Sequence, residues 1–141
     1  MNKQDAITFL KKYQPLPDDE KLTEEIINKY DEIRKFFIDN PDDDVIGLFL
    51  NSYGNGDGLG VYPLVEDVLL NCSKEKVILS IKEVLEDINP PNNVRYWVTQ
   101  NAELFFDDRL RKGLEISLHS KNEDIRDAAT IILDNYQSIH T

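Results

Sequence analysis

Residues 92–136 read NNVRYWVTQNAELFFDDRLRKGLEISLHSKNEDIRDAATIILDNY. Near the end of this stretch Ile125, Ala128, Ala129, Ile132, Leu133 and Tyr136 recur at i, i+3, i+4, i+7, i+8 and i+11. That spacing puts all six on one stripe of a helix with 3.6 residues per turn. Val94, Trp97, Val98, Ala102 and Phe105 form a second stripe, with Asn101 at its one polar step. Upstream, Val61, Leu64, Val65, Val68, Leu69 and Cys72 make a third. The stripes start at fixed offsets, 33 residues from Val61 to Val94 and 31 from Val94 to Ile125. The segments between them also match, since Val77, Ile81, Val84 and Leu85 stand 33 residues before Leu110, Leu114, Ser117 and Leu118. Residues 61–136 therefore read as two helical hairpins and a closing helix. A two-helix unit of this period predicts an all-α fold, a short α-solenoid of antiparallel hairpins.

The N-terminal part reads as less regular helix. Ala6, Phe9, Leu10 and Tyr13 mark a short amphipathic helix over 3–13, which Pro15 and Pro17 end. Leu22, Ile26, Tyr30, Ile33 and Phe37 share one face of a helix over 22–38, closed before Pro41. Asp42, Asp43 and Asp44 then lead into a helix carrying Val45, Leu48 and Phe49. Residues 1–53 are expected to be diverged N-terminal helices of a single domain, 1–141, with seven to eight helices in all. Asp18-Asp19-Glu20, Asp42-Asp43-Asp44 and Asp107-Asp108 each precede a predicted helix, where acids cap and favour the N-terminus.

The C-terminal half resembles HEAT-like repeats. The features are Asn93-Val94-Arg95 and Asp124-Ile125-Arg126 at helix starts, with Ala128-Ala129 as a small pair. The resemblance covers roughly 73–136. It weakens before that, where Tyr62-Pro63 follows Val61 in place of an arginine, and Trp97-Val98 replaces the small pair. Arg95 and Arg126 hold equivalent positions and are expected to bond across neighbouring repeats to acids at the turn ends. Trp97 is expected in the core.

Composition narrows the function classes. The 141 residues are 40% hydrophobic, enough for a folded core. Net charge is −11, from 27 acidic and 16 basic residues, so there is no basic footprint for nucleic acid. No apolar run has the length of a membrane span. MNKQDAITFLKKYQ has neither an apolar h-region nor a small-residue cleavage site, and a cytoplasmic location is expected. Cys72 is the single cysteine and is expected to be a buried core thiol. His119 ends a predicted helix, and His140, near the C-terminus, is expected to fray. These residues offer no nucleophile with an orienting base and no zinc spacing.

One stretch stands apart. Residues 52–66, SYGNGDGLGVYPLVE, hold four of the six glycines, at 54, 56, 58 and 60. The repeat frame makes this an inter-hairpin turn, equivalent to Asn89–Asn93 and Ser120–Asp124. Gly54 would suit a left-handed helix cap and Pro63 a helix first turn. Turn chemistry accounts for one or two of these glycines; the need for four stays open, with a close approach by another backbone as one reading. A phosphate loop needs GxxxxGK[ST], but the next lysine is Lys74. An EF-hand frame on Asn55 aligns Asp57, Gly60 and Glu66, but sets Leu59 and Pro63 at ligand positions. No metal and no cofactor are expected.

Small size, acidic balance, the Gly-rich stretch and the HEAT-like half together resemble immunity proteins of bacterial polymorphic toxin systems. The resemblance implies a non-catalytic module that binds and neutralises a cognate toxin, by an acidic edge covering a basic toxin domain. The partner-binding residues expected are Asp42, Asp43, Asp44, Tyr53, Asn55, Asp57 and Tyr62, with the tyrosines as anchors. The alternative is a HEAT-like scaffold or regulatory subunit of a larger complex.

Overall fold

The computed structural model describes the backbone of residues 1–140 and the side chains of residues 1–136. The side chain of His140 lies outside the described residues. Asn2 starts the first helix, α1 (Lys3–Lys12), by accepting the Asp5 N–H at 2.9 Å. Thr23 starts α2 (Glu24–Asp39) in the same way, accepting from Ile26 at 3.2 Å. Asp42 opens a 3-10 turn at Asp43–Val45 that runs into α3 (Ile46–Leu50). A second 3-10 turn, Tyr62–Val65, leads into α4 (Glu66–Leu70), followed by α5 (Lys74–Glu86) and α6 (Asn92–Leu104). A third, Asp108–Leu110, leads into α7 (Arg111–Leu118), and α8 (Glu123–His140) closes the order. Among the described residues the fold is all-α, with eight α-helices and no strand. No helix among them is long and apolar enough to cross a membrane.

The 61–72 stripe is not one helix. Its first turn winds as 3-10, which rotates residues by more than 100° per step and swings Leu64 off the stripe to solvent. Val65, Val68 and Leu69 remain buried, while Cys72 is half-buried at the edge.

Packing divides the chain into two compact units, residues 1–77 and 78–141. In the first, α1 packs on α2 and α3, and α2 packs on α4. Its core is aromatic. Tyr30 meets Phe49 at 5.8 Å and Tyr62 at 6.1 Å between ring centroids, and Tyr53 meets Tyr62 edge-on at 5.4 Å. Tyr30 donates to or accepts from Ser52 Oγ at 2.6 Å, so its buried hydroxyl is satisfied. Arg34, also buried, is held by Asp31 at 2.8 Å and faces Asp67 at 3.6 Å.

In the second unit α8 packs along both α6 and α7. Val94, Val98, Ala102, Ile125, Ala129 and Ile132 are buried there, as the periodicity requires. Trp97 is only half-buried, and α6 instead buries a polar pair one turn apart, Arg95 and Thr99. Both reach Ser117 Oγ on α7, at 2.8 Å from Arg95 and 3.0 Å from Thr99. That explains a serine where the repeat pattern asks for an apolar residue. Gly113 lets α7 lie against α5, because a Cβ there would sit 2.4 Å from the Leu85 Cβ.

Candidate binding surface

The Gly-rich loop is a clasp on the segment between α1 and α2. Leu16 donates to the Ser52 carbonyl at 2.9 Å, and Asp19 donates to the Asn55 carbonyl at 2.9 Å. The Asp19 carboxylate then accepts the main-chain N–H groups of Asp57 and Gly58, each at 3.1 Å. Two successive amides around one carboxylate form an anion-holding nest, here filled from within the chain. Gly54 donates to the Tyr62 hydroxyl at 2.8 Å.

These contacts account for the glycines. A Cβ on Gly54 would lie 2.5 Å from the Leu16 carbonyl oxygen and 2.7 Å from that of Pro17. Gly56 has φ +108° and would press a Cβ into the Asp19 carboxyl group. Gly58 has φ +63° and would press one into the Tyr62 ring. The left-handed cap expected at Gly54 is therefore not what this residue supplies. It gives room for a close backbone approach, and the positive φ values fall at 56, 58, 59 and 60.

The corresponding turns are held differently. Tyr62 stands 33 residues before Arg95, which stands 31 before Arg126. Arg95 donates to the main-chain carbonyls of Leu85, at 2.9 Å, and Asp87. Arg126 donates to the carbonyls of Ser120 and Lys121, both at 3.0 Å. Each arginine is the fourth residue of its helix and ties down the main chain arriving from the helix before it. The acceptors are carbonyls, not the acidic side chains expected from the sequence. At the equivalent position Tyr62 brings a ring and a hydroxyl, and the loop needs glycines to fit round them.

Among the residues expected to touch a partner, Tyr53 and Tyr62 are fully buried. Their rings form the core under the loop, and neither is a surface anchor. Helical spacing could not separate them from exposed aromatics because both flank irregular backbone. Burial pushes the Tyr62 hydroxyl up to about 12, the Gly54 N–H opposes this, and the carboxylates of Asp19, Asp18 and Asp57 add to it. Asn55 and Asp57 are exposed on the loop.

Asp42, Asp43 and Asp44 form a second cluster. Asp42 accepts the Asp44 N–H at 2.9 Å and pairs with Lys3 at 2.6 Å. Asp43 accepts the Ser73 N–H at 2.8 Å, ahead of α5, and lies 3.6 Å from Lys76. Asp44 is exposed, 3.4 Å from Lys3. The triplet thus has structural duties and partial neutralisation that its bare sequence hides.

The Lys3 hydrogen bond, then the Asp44 N–H, hold the Asp42 carboxyl below the usual range against a smaller opposing effect of burial. A lowered folded pKa gives stability that is present above the unfolded value, near 4, and lost as pH falls through the folded one. Lys3→Met is therefore expected to flatten the acid limb below about pH 4, read as urea midpoint against pH. An unchanged limb would show that the pair is screened away.

Burial, with Asp43 nearby, pushes the Cys72 thiol up, which keeps it protonated at neutral pH. His119 caps α7, its Nδ1 2.8 Å from the Glu115 carbonyl oxygen. Among the described residues no group of three or more His, Cys, Asp or Glu could hold a metal ion. The chain matches no family model, no curated protein and no solved structure.

Proposed function

We propose that this chain is a non-catalytic protein-binding module, an immunity protein that occludes a basic toxin domain. The observation that carries the reading is the acidic loop surface around Asp57, fastened to a buried aromatic core. A surface fixed before encounter loses little entropy on binding, and a net charge of −11 steers a basic partner toward it. The proposal includes a HEAT-like solenoid arrangement. It is supported by the 33- and 31-residue offsets and by the matched tethers of Arg95 and Arg126. The binding residues proposed are Asp42, Asp43, Asp44, Asn55 and Asp57, and the site of action is the cytoplasm.

The test is charge reversal. Asp43→Lys with Asp57→Lys is expected to slow association with the protein encoded by the adjacent reading frame at least tenfold at low salt. The deficit should shrink as salt is raised. Unchanged association at both salt concentrations would remove these residues from the surface.

A further inference from the structure

Leu59 is the one non-glycine residue with positive φ among the described residues, at 52°. It is also a large apolar side chain that is 52% exposed. The first costs stability, because a β-carbon is crowded in the left-handed region, and the second means that little burial offsets that cost. Glycine or asparagine would sit there more comfortably. The surroundings hold this strained residue in place. Asp57 accepts the Gly60 and Tyr62 N–H groups at 3.2 Å each through its carbonyl, and Val61 donates to the Gly58 carbonyl at 3.0 Å. The Asp19 carboxylate grips the amides of Asp57 and Gly58 just before it.

Carboxylates gather beside the tip: Asp19 lies on the amides of Asp57 and Gly58, and Asp18 immediately precedes it. Asp57 and Asp18 are exposed. A rigid apolar knob inside an acidic rim has the anatomy of an interface hot spot, with a desolvated centre and charged edges. Strained backbone at an exposed position points the same way.

We infer that Leu59 is the docking knob of this chain and inserts into an apolar notch on a basic protein surface, with Asp18 and Asp57 pairing with the basic rim. This rests on the protein-binding reading above and names the anchor that the two tyrosines do not provide. A second copy of this chain fits poorly, because it would set one acidic rim against another.

The test places a photo-crosslinking amino acid in the full-length chain at position 59, at 43, and at the exposed Ile88 as a distal control. Crosslinked partners from native cells are identified, purified and titrated against the wild type and Leu59→Gly. The expected result is one basic protein crosslinked from position 59, bound at least tenfold more weakly by Leu59→Gly. The thermal midpoint of Leu59→Gly should be unchanged or higher, because glycine relieves the backbone. Adducts from position 43 without any from 59 would overturn the knob and leave the acidic-surface reading standing. No protein adduct from 59 or 43 would overturn both. An adduct at 59 to an acidic protein or a second copy would overturn the stated partner. Equal affinity of Leu59→Gly would overturn the anchor.

Discussion

Gly54→Ala is expected to lower unfolding free energy by ~2–3 kcal/mol, the upper part of the range for forcing a methyl into filled space. The new Cβ would meet the Leu16 carbonyl at 2.5 Å, the Pro17 carbonyl at 2.7 Å and the Tyr62 hydroxyl at 2.9 Å. Two of these atoms are main chain, and both belong to the segment that the loop clasps. They cannot step aside as the end of a long side chain can. Moving them strains the Leu16 bond to Ser52 and the Gly54 bond to Tyr62. Gly47 in α3 is the internal comparison, since a Cβ there meets nothing within 4 Å. Gly47→Ala should be neutral or stabilising by ~0.5–1 kcal/mol, because alanine is the better helix former. Urea unfolding of both variants checks this. Equal midpoints would show that the clasp is not closed as described.

The second large effect is at Arg95. Arg95→Met is expected to cost ~3–5 kcal/mol, since it strands main-chain acceptors at ~1–3 kcal/mol each. The stranded acceptors are the carbonyls of Leu85 and Asp87, while Ser117 Oγ loses Arg95 and keeps Thr99. Burial works against the guanidinium's charge, so the site is tolerated only because its donors are used. Arg95→Lys should recover little, because one ammonium cannot span three acceptors that a planar fork reaches. Arg126→Met should cost no more than ~1 kcal/mol. It too donates to two carbonyls, but the site is partly exposed and water can replace it. If chemical unfolding gave equal losses for Arg95→Met and Arg126→Met, burial would not be the deciding factor.

The helices were legible in the sequence because their stripes repeat. Ile125 to Tyr136 and Val94 to Phe105 recur at 3.6-residue spacing and bury the residues that spacing selects, apart from the half-buried Trp97 and Leu133. Two of the three acidic clusters announced their capping duty, as Asp42 and Asp107 show by accepting N–H groups two residues on, whereas Thr23, not Asp18-Asp19-Glu20, caps α2. What sequence could not reach were contacts between segments far apart in the chain. Asp19 reads as one acid among three, yet it fastens a loop 38 residues away. Arg34 on α2 carries no signal in the periodicity, yet Asp31 and Asp67 hold it in the interior. Tyr53 and Tyr62 could be placed neither in the core nor on the surface by period, because the chain around them is not helical for long enough.

The proposed neutralisation of a toxic protein by binding is decided by growth of cells expressing the adjacent reading frame, with and without this chain. The expected result is growth arrest by the neighbour alone, relief by the wild-type chain, and loss of relief with Leu59→Gly combined with Asp57→Lys at equal expression. Growth arrest that the wild-type chain does not relieve, or a neighbour without toxicity, would contradict it.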